Sequence, residues 1–182
     1  DIATNHDGNL DKAIELINLA KESGADAVKF QHFTAETIVS KKTFDLMSGK
    51  LSHQKSWKKS VFDVYDEASL NFDWTKKLKK ECDKLKIHFF TAPYSLDLIN
   101  RVNKYVCAYK VGSGDITWLE AIQEMAKKKK PLILATGASS LKDVRRAYSS
   151  IKRINKQICI MQCNTNYTAS KSNFKYINLN VL

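Results

Sequence analysis

The feature that most constrains this chain is its period. Short apolar runs of strand length alternate with amphipathic segments at helical spacing, the pattern of parallel strands joined by helical crossovers. Six strand-like runs are read, at residues 1–5, 25–32, 87–92, 106–112, 131–136 and 157–164. Between them, Leu10, Ala13, Ile14, Ile17 and Ala20 mark one helix and Leu141, Val144, Tyr148 and Ile151 a later one, each set recurring every three or four residues on one face. Ser95 and Thr117 stand where helix N-caps are expected.

With 182 residues and 43% hydrophobic content, the chain can bury a sizeable core, which excludes a disordered or fibrous reading. No stretch reaches the roughly 20 apolar residues of a membrane span, and no signal-peptide progression opens the sequence. The expectation is a soluble, cytoplasmic protein. Asp1, Ile2 and Ala3 read as the middle of a strand, so an incomplete first strand is expected. Cys82, Cys107, Cys159 and Cys163 form no CxxC pair and are read as buried reduced thiols. The net charge of +11 raises nucleic-acid binding, but its lysines are placed like a solvated outer surface. Lys76, Lys77, Lys79 and Lys80 share a helix whose apolar positions are Trp74, Leu78, Cys82 and Leu85, and Lys127, Lys128, Lys129 and Lys130 sit at a helix end, where cations suit the macrodipole.

Polar residues collect at the carboxyl ends of the strands: Asn5, His6 and Asp7; Lys29 and Gln31; Thr91 and Tyr94; Lys110, Ser113, Gly114 and Asp115; Thr136 and Gly137; Asn164, Thr165, Asn166 and Tyr167. In a (βα)8 TIM barrel those ends converge on one catalytic mouth. A doubly wound open sheet is the competing architecture. It is weakened because no GxGxxG or Walker A loop follows any strand. The expected fold is α/β, a TIM barrel represented by about its first six βα units. The connection at 33–71 breaks the rhythm, carries His53, Trp57 and Tyr65, and is read as short extra helices covering a substrate.

Lys29 and Lys110 lie inside apolar strand runs, where a buried ammonium needs an anionic partner. A bound phosphate or carboxylate is favoured because Gly112, Ser113 and Gly114 adjoin Lys110, and small residues let backbone amides approach an anion. An ion pair with Asp1 or Asp115 is the competing account. His6, His32, His53 and His88 show no metal-ligand spacing, and His88 is read as a core histidine. GxSxG is not satisfied around Ser113, which disfavours acyl-enzyme chemistry. The Asn166-Tyr167-Thr168 sequon is read as chance.

Four segments, Asn5-His6-Asp7-Gly8, Gly24-Ala25-Asp26-Ala27-Val28-Lys29-Phe30-Gln31, Tyr109-Lys110-Val111-Gly112-Ser113-Gly114-Asp115-Ile116 and Ile133-Leu134-Ala135-Thr136-Gly137, together resemble the sialic acid synthase family, in that family's order and spacing. The family includes N-acetylneuraminate, legionaminate and pseudaminate synthases. The resemblance implies condensation of phosphoenolpyruvate with an N-acetylated aldose, on a TIM barrel followed by a small antifreeze-like domain. It also implies a manganese or magnesium cofactor and a homodimer when full length.

Carried over by position, the resemblance gives Lys29, Lys110 and Ser113 as phosphoenolpyruvate ligands with Thr91 and Thr165 as lesser contacts, and Gln31 and Tyr167 as sugar contacts. Asp1 stands where the family has Glu and is the first candidate for acid-base work; Asp115 is the alternative. Asp reaches one methylene less, and a misplacement of about 1 Å can cost around a hundredfold in rate. Ala135 replaces a phosphate-binding Ser of some members. The family's metal-binding histidines correspond to no segment of this sequence, so no metal ligand is expected within it. The last strands and second domain are likewise expected beyond Leu182, and the fragment alone is expected to be inactive and poorly stable. Competing functions are a related phosphoenolpyruvate-dependent barrel synthase acting on a phosphorylated sugar, a noncatalytic barrel binding protein, and a nucleic-acid module.

Overall fold

Five parallel strands and eight α-helices make up the described residues, 1–46 and 57–165, of the computed structural model. The helices are α1 (Leu10–Glu22), α2 (Ala35–Ile38), α3 (Lys41–Leu46), α4 (Val61–Ala68), α5 (Thr75–Lys84), α6 (Leu96–Val102), α7 (Leu119–Lys127) and α8 (Leu141–Ile151). The strands are β1 (Ala27–His32), β2 (His88–Pro93), β3 (Tyr109–Val111), β4 (Leu132–Ala135) and β5 (Ile158–Met161). Two compact units divide the chain, Asp1–Cys107 and Ala108–Leu182.

In the first unit β1 pairs with β2 in parallel, Ala27 opposite His88 through His32 opposite Pro93. Residues opposite one another in a parallel ladder share a face, so Val28, Phe30 and His32 lie with Phe89, Thr91 and Pro93, all buried. Helices α5 and α6 pack on β2, and α1 packs on α5. The buried residues Ala13 and Ile17 of α1 and Leu78 and Cys82 of α5 fall on the predicted apolar stripes. Asn9, Ser60 and Ser95 cap α1, α4 and α6 through side-chain oxygens that accept backbone N–H bonds. Helices α2, α3 and α4 lie within the long connection, which agrees with the short helices expected there.

In the second unit β4 pairs with β3 on one side and β5 on the other, both in parallel. Tyr109, Val111, Leu132 and Leu134 form one buried face. Helices α7 and α8 pack together, α8 opening on a reciprocal Ser140–Asp143 capping box.

Several expectations are corrected. Residues 1–5 form no strand: Ala3 makes a single bridge to Phe30, and the chain then turns, with Ala3 at φ 48° and Asp7 at φ 49°. His88, at the start of β2, is exposed. Among the cysteines only Cys82 is buried; Cys107 and Cys159 are exposed and Cys163 is intermediate. The strand period explains this for Cys159, which lies on the face opposite Ile158 and Ile160. Tyr148 is 40% exposed, and Ala147 takes the buried position beside Val144 and Ile151. Trp118, not Thr117, precedes α7, with no side-chain cap. Of the lysine clusters, Lys127 and Lys128 both pair with Glu124 at the end of α7, and Lys79 pairs with Asp83.

Candidate active site

On the face of β1 and β2 opposite the buried one lie Lys29 and Gln31, with Phe90 and Ala92. Lys29 is only 6% exposed, and burying an unpaired ammonium there would cost several kcal/mol in effective terms. Its partner comes from the chain start. The N–H groups of Ile2 and Ala3 both donate to the Lys29 carbonyl at 3.0 Å, which brings the Asp1 carboxylate to 2.9 Å from Lys29 Nζ. The ion pair considered as an alternative from the sequence is therefore present at Lys29. Asp1 remains largely open to solvent, so the pair presents a carboxylate as well as a cation. Gln31 donates from Nε2 to the Tyr94 hydroxyl at 2.7 Å.

Thr91 occupies the other face. Its hydroxyl donates to the Phe30 carbonyl at 2.9 Å and lies 2.7 Å from His32 Nδ1. The period of two separates it from Lys29 and Gln31, so the structure sets Thr91 among core groups rather than with the residues expected beside it. His32 Nε2 lies 2.9 Å from the Thr75 hydroxyl, and Phe72 and Phe89 approach the ring edge-on. Burial holds this imidazole at about 3, well under its ordinary 6.5, with the Arg101 and His6 charges adding in the same direction. A neutral ring donates from one nitrogen and accepts at the other. The Phe72 carbonyl takes the Thr75 N–H as well as its hydroxyl; the hydroxyl can turn to the ring without leaving that carbonyl unpaired. The network thus assigns Nδ1–H toward Thr91 and an accepting Nε2 toward Thr75. His6 is also buried, its Nδ1 accepting from the Gly8 N–H at 3.1 Å, and burial lowers its pKa.

The second unit gathers a separate set at the carboxyl ends of its strands. Lys110 lies on the face away from Tyr109 and Val111, in a row with Ile133 and Cys159. A 3-10 turn, Ser113–Asp115, follows β3. Ser113 Oγ accepts the Gly137 N–H at 3.0 Å, tying the loop after β3 to the loop after β4. A Cβ on Gly137 would lie 2.4 Å from Thr165 Cγ2 and 2.9 Å from Ser113 Oγ, so only glycine lets these three approach. Burial raises the Asp115 pKa, and the Lys110 charge partly offsets the rise. Among the described residues Lys110 forms no ion pair within 4 Å. Ala135 is buried and supplies no hydroxyl. Chemically, this cluster can hold an anion between a cation, a hydroxyl and close backbone, with a protonatable carboxyl beside it.

Of the sequence-predicted residues, the structure brings Asp1 to Lys29 in one unit and Ser113 to Thr165 in the other. Tyr167, Asn166 and His53 lie outside the described residues. Sequence reading missed Tyr94 as the partner of Gln31 and Gly137 as the close-approach residue. The strand period of two was the available signal for the first, since it puts Tyr94 on the face of Ala92, the residue opposite Gln31, one step further along. Among the described residues no group of three or more His, Cys, Asp or Glu side chains could hold a metal ion, and no helix is long and apolar enough to cross a membrane.

Comparison with known proteins supplies the family context. The sequence model of the NeuB family matches residues 16–182. The chain is 33% identical to the N,N'-diacetyllegionaminic acid synthase of Legionella pneumophila over 174 residues, covering 91% of this chain and 48% of that protein. It is 29% identical to human N-acetylneuraminate-9-phosphate synthase over 171 residues, 92% of this chain and 46% of that one. The solved N-acetylneuraminic acid synthetase of Leptospira borgpetersenii superposes with a TM-score of 0.78 at 22% identity, over 94% of this chain and 55% of that one, a likeness of fold. The chain spans about half the length of the relatives it matches.

Proposed function

The chain belongs to the NeuB family, and from that premise we propose that it is the barrel portion of a nonulosonic acid synthase, condensing phosphoenolpyruvate with an N-acetylated aldose and releasing phosphate. The observation that carries the reading is the second unit's cluster: Ser113, Gly137 and Thr165 meet so closely that a Cβ at Gly137 would displace the Thr165 and Ser113 side chains, and Lys110, on the strand leading into Ser113, forms no ion pair among the described residues.

In this reaction the enol carbon attacks the open-chain aldehyde, water adds to the resulting oxocarbenium carbon, and its bond to the phosphate oxygen breaks. Lys110, Ser113 and Thr165 hold the phosphate end by charge and hydrogen bonding; the family resemblance also assigns Lys29 to phosphoenolpyruvate. Its Asp1 partner is exposed enough to exchange protons. Asp115, its pKa raised by burial, holds a proton more readily than an ordinary carboxyl and is the alternative proton-transfer group. Gln31 and Tyr167 are assigned to the sugar; Thr91 is reassigned from substrate contact to orienting His32.

A divalent cation, manganese or magnesium, would polarise the sugar aldehyde. Among the described residues no set of His, Cys, Asp or Glu side chains fits it. A closed eight-stranded barrel, a homodimer and a cytoplasmic location belong to the same reading.

The test is phosphate release from phosphoenolpyruvate by the complete protein with manganese, offering N-acetylmannosamine and then an N,N'-diacetylated aldose. Release that depends on the sugar supports the synthase and selects its acceptor. No release with either, from folded and metal-loaded protein, refutes it.

A further inference from the structure

A glutamine amide carries a donor and an acceptor on one terminal torsion with a broad preference, so which atom meets a ligand depends on what holds the other. Resting on the assignment of Gln31 to the acceptor sugar, we infer that Tyr94 is a positioning residue that turns the Gln31 carbonyl oxygen toward the substrate. The Tyr94 hydroxyl engages Nε2 at 2.7 Å. Oε1 accepts from no described residue, and Gln31 is half-buried on the same face as Lys29.

Tyr94 can do this because it is itself fixed. Its N–H donates to the His32 carbonyl at 3.0 Å, extending the register of β1 and β2 by one residue. Its ring meets Phe33 edge-on, with centroids 6.0 Å apart and planes at 88°. Phe33 is 2% exposed and receives Tyr65 of α4 at 5.9 Å, which in turn meets Trp57 at 6.3 Å. The long connection after β1 thus returns an aromatic wall onto the residue that orients Gln31.

The consequence is a rule of recognition. The group that Gln31 meets is a hydrogen-bond donor, a sugar hydroxyl or an amide N–H, rather than a carbonyl or phosphate oxygen. A site built to accept such a bond discriminates strongly against an analogue that lacks the donor.

The experiment is a double-mutant cycle in the complete protein, Tyr94→Phe, Gln31→Ala and both together, measuring kcat and KM for phosphoenolpyruvate and for N-acetylmannosamine, or for the diacetylated aldose if that is the one turned over. Tyr94→Phe keeps the ring on Phe33 and removes only the hydroxyl. We expect it to raise the acceptor KM about three- to tenfold, the worth of one oriented neutral hydrogen bond, with kcat and the phosphoenolpyruvate KM within about twofold of wild type. In the Gln31→Ala background the same substitution should change nothing further. A silent Tyr94→Phe, an effect that multiplies with Gln31→Ala, or an equal loss in kcat and both KM values overturns the inference. A wild-type protein that turns over neither sugar refutes the synthase reading, and the inference with it; an active wild type with a silent Tyr94→Phe refutes the inference alone.

Discussion

Acidification should destabilise this protein through one buried imidazole. His32 is neutral between Thr75 and Thr91, with its pKa held at about 3 against an ordinary 6.5. Because the folded value is the lower, the unfolded chain binds the proton more readily, and stability falls as pH drops below 6.5, levelling only below about 3. Linkage between those two values gives a loss of about 2 kcal/mol at pH 5 relative to pH 7.5, and about 3 kcal/mol at pH 4. Against a typical total of about 5–15 kcal/mol that is a large fraction. The assay is urea unfolding at pH 7.5, 6, 5 and 4 of wild type and His32→Leu. The substitution leaves the Thr75 and Thr91 hydroxyls their carbonyl acceptors, Phe72 and Phe30; it should cost about 1–2 kcal/mol at pH 7.5 yet lose about 2 kcal/mol less between pH 7.5 and 5. His6, whose pKa burial also lowers, contributes the same slope to both proteins and cancels. Equal acid sensitivity of the two, or nitrogen shifts of an imidazolium at His32 at pH 5, would refute the reasoning.

Gly137→Ala should lower kcat/KM for phosphoenolpyruvate at least about tenfold with the circular dichroism spectrum kept, since its Cβ would meet Thr165 and Ser113 inside van der Waals distance; wild-type kinetics would remove Gly137 from the cradle. Lys110→Met should weaken phosphoenolpyruvate binding by about a hundredfold, in line with about 3 kcal/mol for a charge-assisted hydrogen bond, measured by titration calorimetry. Asp115 has a raised pKa, so its neutral form is favoured by folding and its contribution is lost as pH rises through the folded value. Asp115→Asn is therefore expected to raise the unfolding midpoint at pH 7.5 while lowering turnover about a hundredfold. With a maleimide on the native protein, the exposed Cys107 and Cys159 should label quickly, whereas Cys82, buried with its thiol pushed up to about 12, should label only on unfolding.

Much of the architecture was legible because period is a local property. The stripe of Ala13 and Ile17, the stripe of Leu78 and Cys82, and five of six strand-like runs needed only neighbours a few residues away. Failures came where a distant partner decided. Residues 1–5 have strand composition, but the N–H groups of Ile2 and Ala3 converge on one carbonyl of β1 and the chain turns. Tyr148 fits the helical stripe, yet the smaller Ala147 is the residue covered.

By itself the sequence determined the parallel α/β class, the strand-end position of the polar residues and the family motifs, because these rest on spacing and residue type. Only the tertiary structure decided which groups meet. It paired Lys29 with Asp1, sent Thr91 to the core with His32 while Gln31 turned to Tyr94, and closed Ser113 and Thr165 around Gly137. The physical reason is register. A strand's period of two fixes that alternate side chains part to opposite faces, but the pairing between strands, set by bonds across dozens of residues, chooses their neighbours.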